Sequence, residues 1–364
     1  MLERFKVPEE DRVYIRPEKM RAATETVFKS SGLSDDDAEL SADVLMLSDM
    51  RGCETHGVSN MLRRYVGWYD DGELNPKPNL RIIRESDATA TLDADDGLGL
   101  HIAPKAMEIA MEKAEKFGMG SVAVSGNKNG HVGMLAYHSM MALEHDMIGV
   151  TLIAGDALSA VPTFGAEKRF ATNPWAYAVP ARNMPPFVFD IATTQVAGNK
   201  LALAKRVGAP LEDHWIANID GSSMVGNPQL PDDRSQYHQL PMGGTREQGS
   251  HKGYGFMAVA EILSQILSGA GAAFLNPGTM CHWFCAYKID AFTDPEKFKD
   301  DMDDFLNGLA TTPPAPGHDR VLYPGLPEHE ETLLREKEGI PYHREVVDWF
   351  RSISDARNLG IDLA

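Results

Sequence analysis

Short apolar runs alternate with helical segments in the middle of the chain, and this alternation restricts the fold more than any other feature. Ser121–Ser125 and Ile148–Ile153 have the composition of buried strands, and further strands are predicted at Ala176–Pro180 and Phe187–Ile191. Before the first of these strands, Lys105–Phe117 carries apolar residues at helical spacing with glutamates between them. The sequence therefore predicts a mixed α/β centre.

Both ends of the chain are predicted to be helical. Pro17 suits the first turn of a helix that ends at Gly32, and Ser34 is a helix N-cap followed by three aspartates. Residues Leu80–Leu92 alternate like strands. The remaining predictions are helices at Met61–Asp71, Met134–His145, Val196–Val207, Tyr254–Leu267, Glu328–Glu338 and Arg344–Arg351, and a strand at Phe284–Ile289.

Composition excludes several classes of partner. The 364 residues carry a formal net charge of −18 and contain no local Lys/Arg run, which disfavours nucleic acid and acidic membranes. No apolar stretch reaches the ~20 residues of a membrane span, and Met1–Asp11 lacks the apolar core of a signal peptide. Three scattered cysteines do not make a disulfide framework. We expect a cytoplasmic protein of two domains.

Common nucleotide, metal and hydrolase motifs are absent. The turn Gly97-Leu98-Gly99 lacks the third small residue of a dinucleotide fingerprint, since Ile102 stands there, and no P-loop is present. The histidines show no spacing typical of zinc, and there is no Gly-x-Ser-x-Gly elbow. The sequence thus predicts neither a Rossmann site, nor a metal site, nor a serine hydrolase.

Two short loops carry candidate chemistry. Gly130 and Gly133 flank His131 in a strand-to-helix turn, where backbone N–H groups favour an anionic ligand and an imidazole can exchange a proton near neutral pH. Thr55 and His56 form a second hydroxyl–imidazole pair in a loop between helices. From spacing alone, loop histidines bonded to backbone remain an alternative for both.

Two further positions are weaker candidates. Asp190 ends an apolar strand and is placed to fix a histidine tautomer, or else to cap a following helix at Thr193 or Thr194. Lys252 precedes a helix, where it could contact phosphate or lie at a solvated loop end.

Six motifs follow one another along the chain: Arg51-Gly52-Cys53-Glu54-Thr55-His56-Gly57-Val58, Gly130-His131-Val132-Gly133, Val161-Pro162-Thr163-Phe164-Gly165, Ala171-Thr172-Asn173-Pro174, Asp190-Ile191-Ala192-Thr193-Thr194 and His251-Lys252-Gly253-Tyr254-Gly255. In this order they resemble the malate/L-lactate dehydrogenase family of the non-Rossmann type, which includes ureidoglycolate and sulfolactate dehydrogenases and piperideine-2-carboxylate reductases. The similarity runs from about Pro17 to Leu359.

The resemblance implies an α/β fold in which a mixed, largely antiparallel sheet binds NAD or NADP without a Rossmann fingerprint. An α-helical domain would come from both chain ends, residues 1–80 and 305–364, and residues 81–304 would bind cofactor and substrate. Such enzymes are typically homodimers with active sites near the subunit contact. The implied reaction moves a hydride between NAD(P) and a small 2-hydroxy or 2-keto carboxylic acid.

The resemblance also implies site residues. Acid/base chemistry falls to His56, with Thr55 and Asp190 as a relay, or alternatively to His131. The cofactor-contacting stretches that match are His131, Val132, Gly133, Met134 and Leu135, then Pro180, Ala181 and Arg182, and finally Lys252. Arg182 could pair with the 2′-phosphate of NADP.

Departures from the family pattern concern the substrate. Asn60 stands where an arginine of the family normally binds the substrate carboxylate, so either Arg63 or Arg64 supplies that contact by a shifted turn or the substrate differs. Ile153-Ala154 replaces a Thr-Asn pair. The alternatives are reduction of a cyclic imine on the same fold, or a catalytically silent ligand-binding relative.

Overall fold

The helices give the chain its outer layers. The computed structural model describes residues 6–155, 157–206 and 209–363. The helices are α1 (Pro17–Ser30), α2 (Asp35–Met50), α3 (Val58–Asp70), α4 (Gly99–Phe117), α5 (Leu135–Met140), α6 (Gly198–Arg206), α7 (Ser250–Glu261), α8 (Pro295–Ala310), α9 (Leu326–Glu338) and α10 (Arg344–Arg357). A π-helical turn, Ile262–Ile266, extends α7.

The strands form one large sheet and two small ones. They are β1 (Arg12–Ile15), β2 (Arg81–Glu85), β3 (Thr89–Asp93), β4 (Met119–Ser125), β5 (Met147–Gly155), β6 (Trp175–Val179), β7 (Phe187–Ile191), β8 (Ile216–Ala217), β9 (His238–Gln239), β10 (Met280–Lys288) and β11 (Ile340–His343). Within the described residues the main sheet has seven strands in the order β2-β3-β4-β10-β5-β6-β7. Only β3 and β4 pair in parallel there, and the other neighbours are antiparallel.

Strand β10 lies at the centre of the sheet, between β4 and β5, and its alternate residues face opposite layers. Phe284 and Ala286 pack with α4 residues in one core, and Cys285 packs on the other side with Ala260 of α7. The sheet is therefore covered on both faces, which explains why its central strands read as continuous apolar runs.

The two chain ends share one core. Strand β1 pairs with β11 in antiparallel register, Val13 opposite Tyr342. Apolar residues of α1, α2, α3 and α10 pack around this pair, among them Phe28, Leu45 and Phe350. Ser34 caps α2 by accepting a hydrogen bond from the Asp37 N–H, as the sequence predicts.

The mixed, largely antiparallel α/β fold is confirmed, and most predicted elements are present. The helix predicted over Met134–His145 is too long, because α5 ends at Met140 and a separate 3₁₀ turn follows at Leu143–His145. The sequence analysis also missed α8, β1 and β11. Strands β1 and β11 pair with each other from opposite ends of the chain, a contact that no local pattern reveals. Val207, the predicted end of the helix at α6, lies outside the described residues.

Candidate active site

The loop between β4 and α5 carries His131 in a fixed orientation. The Gly133 N–H donates a hydrogen bond to His131 Nδ1 over 3.1 Å, and the Tyr65 hydroxyl of α3 lies 2.6 Å from the same nitrogen. Gly133 has φ +71°, a conformation that glycine adopts at little cost. A backbone N–H can only donate, so Nδ1 is the acceptor and the neutral ring carries its proton on Nε2.

The loop between α2 and α3 brings His56 to the same place. The Thr55 hydroxyl lies 2.9 Å from His56 Nδ1, so these neighbouring side chains do face each other. The rings of His56 and His131 stack with their centroids 5.7 Å apart and an angle of 15° between their planes. Both rings line one cleft. The structure thus unites two imidazoles that are 75 positions apart in the printed sequence.

The surrounding protein keeps both imidazoles neutral. Burial lowers the pKa of His56 to about 4. Burial, with the neighbouring His56 and the positive charge of Arg64, lowers the pKa of His131 to about 3. At neutral pH each ring therefore retains one nitrogen that can accept a hydrogen bond and one that can donate.

A buried carboxyl holds the His56 loop. Asp49 Oδ2 accepts hydrogen bonds from the Val58 N–H (3.0 Å) and the Tyr342 hydroxyl of β11 (2.7 Å). Position 57 has to be glycine here, because a Cβ on Gly57 would lie 1.8 Å from Asp49 Oδ1. Burial raises the pKa of Asp49 to about 7. Asp49 was not among the predicted site residues, since an aspartate in a helical segment gives no sequence signal of its own.

Arg335 of α9 ties the same loop to the C-terminal part of the chain. Its guanidinium donates to the Asp49 carbonyl oxygen over 2.5 Å and to Glu54 Oε1 over 2.5 Å. A third hydrogen bond, from Nε, reaches Glu331 Oε1 over 2.7 Å. Arg335 is only 5% exposed. The sequence placed it in a polar terminal helix, and nothing local reveals that it reaches residues nearly 300 positions earlier.

Asp190 lies elsewhere than a simple relay requires. Its Oδ2 accepts the Ala136 N–H over 2.8 Å, at the first turn of α5, and the charge of Arg51 is nearby. Burial raises its pKa to about 6. Among the described residues, no hydrogen bond joins Asp190 to either imidazole. Nor does it cap a helix at Thr193 or Thr194, the other possibility that the sequence left open; it fixes α5 directly after the His131 loop.

Four of the nine predicted cofactor-binding residues line the cleft, and the other five lie elsewhere. His131, Val132, Gly133 and Leu135 line the cleft, whereas Met134 packs in a small apolar core. Pro180, Ala181 and Arg182 follow β6, and the Arg182 guanidinium is paired with Glu296 (2.7 Å) and with Asp300 on α8. Lys252 is exposed in the first turn of α7.

The three predicted substrate-binding residues all lie on α3. Asn60 Nδ2 donates to the Glu54 carbonyl oxygen over 3.2 Å. Arg63 and Arg64 are exposed, and the positive charge of Arg64 acts on His131. The guanidinium of Arg64 lies 6.0 Å from the centroid of the Trp68 ring.

Asn173 is a cleft residue to which the sequence analysis gave no role. Its Nδ2 donates to the Met257 carbonyl oxygen (3.0 Å) and to Glu261 Oε2 (3.2 Å), which fixes the orientation of the amide. Its Oδ1 is buried and has no hydrogen-bond partner among the residues that the structure describes. The remaining wall of the cleft is formed by Ile153, Ala154, Gly155, Ala171, Thr172, Pro174 and Met280.

The described part of the chain contains neither a metal-binding cluster nor a membrane-spanning helix. No group of three or more His, Cys, Asp or Glu side chains within them is arranged to hold a metal ion. None of the helices in that part of the chain is both long and apolar enough to cross a membrane.

The chain matches one protein family and is similar to several of its members over nearly its whole length. A family model described as malate/L-lactate dehydrogenase matches residues 15–351. The malate dehydrogenase of Pyrococcus abyssi is 36% identical over 360 residues, 97% of each chain. The L-sulfolactate dehydrogenase of Methanocaldococcus jannaschii is 32% identical, covering 96% of this chain and 98% of the relative. The crystal structure of malate dehydrogenase from Entamoeba histolytica superposes with a TM-score of 0.89 at 28% identity, over 95% of this chain and 98% of the other.

Proposed function

The chain belongs to the malate/L-lactate dehydrogenase family, and from this premise we propose that it transfers a hydride between NAD or NADP and a small 2-hydroxy carboxylic acid. It is an oxidoreductase that acts on a CH–OH group, as relatives named for malate and sulfolactate do. The observation that carries the proposal is the stacked pair of neutral imidazoles, His56 and His131, in one cleft.

The cleft fits the nicotinamide end of such a cofactor. Asn173 Oδ1 is a buried acceptor that no side chain or backbone group in the described part of the chain satisfies, and the carboxamide of nicotinamide offers an N–H donor. When bound, the cofactor accepts or gives the hydride. The cleft-lining stretch from His131 to Leu135 would hold it, and the exposed Lys252 is free to approach its phosphates.

The hydrogen bonds at His131 favour a donor role for this residue. Because Nδ1 already accepts from Gly133, the neutral ring presents an N–H at Nε2. That group can donate to the oxygen of the substrate and stabilise the charge that develops on it. It cannot take the hydroxyl proton in this tautomer.

His56 is then the group that exchanges the proton. In the tautomer whose proton is on Nδ1, where it can be donated to the Thr55 hydroxyl 2.9 Å away, Nε2 has a free lone pair. This nitrogen takes the proton of the substrate hydroxyl in the oxidation direction and returns it in reduction. Asp190 supports the pair indirectly, by fixing the start of α5 behind the His131 loop.

Arg64 is the side chain we assign to the substrate carboxylate. Of the three candidates on α3, it is the one whose charge acts on His131, whereas Asn60 is bonded to Glu54. A guanidinium suits this task because it can bind both carboxylate oxygens at once. The ion pairs of Arg182 with Glu296 and Asp300 support NAD over NADP, since that cation is already compensated.

A homodimer is supported by an exposed apolar face. Phe256, Val259, Ile262 and Ile266 project from one side of α7 and the turn that extends it, and they are 39–51% exposed. Monomers rarely expose such a contiguous strip. We expect Ile262→Glu to yield monomers in sedimentation velocity, whereas Leu322→Glu, at a position with 48% exposure elsewhere, should leave the dimer intact.

The domain division and compartment are further parts of the proposal. The core shared by β1, β11 and the terminal helices supports a helical domain of residues 1–80 and 305–364 beside an α/β domain of 81–304. Cys53, Cys281 and Cys285 are unpaired thiols whose pKa burial raises, which suits the reducing cytoplasm.

An assay of cofactor and substrate together tests the function. Titration with NADH and with NADPH, followed by tryptophan fluorescence, should show saturable binding with tighter affinity for NADH. A panel of 2-hydroxy acids, 2-keto acids and cyclic imines should then give turnover with the hydroxy and keto acids. Binding of neither cofactor would refute the proposal, and turnover of imines alone would change the substrate class.

Variants of the imidazoles test the roles. We expect His56→Ala to lower kcat by about 100-fold or more, the range of general acid/base catalysis, while NADH binding persists. His131→Asn should also lower kcat, with the loss shared by oxidation and reduction because an oxygen-binding donor serves both directions. Near-normal turnover in both variants would contradict the assignment.

A further inference from the structure

Two fully buried histidines outside the cleft contact the loop that carries His131. His282 Nε2 of β10 lies 2.6 Å from the Gly130 carbonyl oxygen, and His138 Nε2 of α5 lies 2.9 Å from the Val132 carbonyl oxygen. Both histidines have no exposed surface. The two carbonyl groups belong to the residues directly before and after His131, so the loop is bonded on each side of the reactive residue.

These contacts fix the tautomers of both rings. A carbonyl oxygen can only accept, so each histidine donates from Nε2–H. In each ring the Nδ1 atom is buried and has no partner within the described residues. Burial lowers the pKa of His138 to about 3 and of His282 to about 4, so both rings are neutral near pH 7.

Packing anchors the two donors to rigid elements. His282 and Phe284 lie on the same face of β10, the central strand of the sheet. The Phe284 ring contacts both imidazoles edge-on, with centroid distances of 6.0 Å to His138 and 6.0 Å to His282. The His131 loop is therefore attached to the sheet at one carbonyl and to α5 at the other.

Space filling alone does not explain these residues. An aliphatic side chain would fill the same core without the cost of burying a polar ring. Another buried histidine, His101, lies 3.2 Å from the Ser41 hydroxyl through Nδ1, and within the described residues its Nε2 has no hydrogen-bond partner. What sets His138 and His282 apart is that each satisfies a carbonyl of a loop that lacks regular secondary structure.

We propose that His138 and His282 are positioning residues for His131: they fix the carbonyl groups on either side of it, and so keep the Gly133 N–H on Nδ1 and the Nε2–H directed to the substrate. This inference rests on the proposed function, because it assigns a use to the orientation of His131. Neither residue touches the cleft or the reacting atoms.

The test replaces each histidine with two amide side chains of different length, glutamine and asparagine. In His282→Gln the side-chain N–H can still reach the Gly130 carbonyl oxygen, whereas in His282→Asn it is one bond short. We expect the Asn variant to lose about 10- to 100-fold in kcat, since a displacement of 1 Å can cost about 100-fold, with little change in the KM for NADH. The Gln variant should recover most of this loss. The same pair of substitutions at His138 repeats the test from the α5 side.

His101→Asn is the control, because it disturbs a buried histidine that does not hold the loop. It should lower the melting temperature without a comparable loss of kcat. If the Asn variants at 138 and 282 lose no more activity than this control, the inference is wrong. If His131→Asn itself keeps its turnover, the donor role of His131 is wrong and the inference falls with it, whereas the proposed function fails only if the wild-type protein binds neither cofactor.

A measurement on the wild-type protein covers the case in which the variants do not fold. Nitrogen-15 spectra of histidine-labelled protein distinguish the Nε2–H from the Nδ1–H tautomer. We expect Nε2–H for His131, His138 and His282. An Nδ1–H tautomer at either 138 or 282 would overturn the inference.

Discussion

The loops of His56 and His131 are both held by buried polar side chains, but the chemistry differs. At the His56 loop the holding groups are charged or acidic, namely Asp49, Glu54 and Arg335, with the Tyr342 hydroxyl beside them. At the His131 loop they are neutral imidazoles. A buried ionic cluster is costly to break at any one member, whereas a neutral donor costs roughly one hydrogen bond. A single substitution among these residues should therefore destabilise the His56 loop more than the His131 loop.

The largest effect should follow from removing Arg335. Arg335→Met leaves Glu54 without its buried partner and the Asp49 carbonyl without a donor. We expect a loss of about 3–5 kcal/mol in the free energy of unfolding, the range for breaking a buried ion pair, measured by urea denaturation. A fall in kcat should accompany it because the His56 loop loses its anchor.

The control for Arg335 is another arginine that binds a carboxylate of α9. Arg320 pairs with Glu330 through two nitrogens, at 2.5 and 2.6 Å, but its side chain is 55% exposed. Arg320→Met should cost about 1 kcal/mol or less. Equal losses in the two variants would remove the distinction between the loops.

The two loops should also respond to acid in opposite directions. The Asp49 carboxyl has a pKa raised from 3.8 to about 7, so the folded state binds its proton more tightly than the unfolded state does. This contribution to stability is present below pH 3.8 and is lost as the pH rises to about 7. The Asp49→Asn variant lacks this pH-dependent contribution to stability. The difference in unfolding free energy between wild type and variant should therefore shrink between pH 4 and pH 7, by at most about 1.4 kcal/mol per pH unit.

The imidazoles behind His131 have the reverse sign. Their pKa values fall from 6.5 to about 4 for His282 and about 3 for His138, so the unfolded state binds protons that the folded state excludes. The part of the unfolding free energy that depends on these rings being neutral is fully present above pH 6.5 and is lost as the pH falls toward 4. His282→Gln should lose less stability than wild type between pH 6.5 and pH 4. Parallel curves for the two proteins would contradict the buried, neutral state of this ring.

The same comparison shows what sequence can and cannot reveal. His56 and His131 are candidates from local patterns, a hydroxyl beside one imidazole and glycines around the other, and apolar runs between helices predict a mixed α/β centre; the largely antiparallel sheet is what the family resemblance implies. Arg335, Tyr342, His138 and His282 carry no such signal, because their contacts depend on segments that meet only in the folded chain. Asp190 shows the opposite error. Its strand position is as predicted, but its carboxylate is bonded to α5 and not to an imidazole.

The smallest effect belongs to Tyr65, which connects the two loops. It lies on α3, the helix that begins directly after the His56 loop, and its hydroxyl reaches His131 Nδ1 over 2.6 Å. In Tyr65→Phe the Gly133 N–H still holds that nitrogen, so we expect kcat to fall by about tenfold or less, the value of one hydrogen bond. Tyr323→Phe is the control, since its hydroxyl bonds the Pro185 carbonyl oxygen, outside the two loops, and it should leave kcat unchanged.

A double-mutant cycle makes this last test sharper. Tyr65 and His282 both act on the orientation of His131, one directly and one through the Gly130 carbonyl. If both serve that orientation, the loss of kcat in the combined Tyr65→Phe and His282→Asn variant should depart from the product of the two single losses, by a coupling of about 0.5 kcal/mol or more. Tyr65→Phe combined with Arg320→Met should be additive. Additivity in both pairs would mean that the His131 ring keeps its place without help from α3, and that the two loops are held independently.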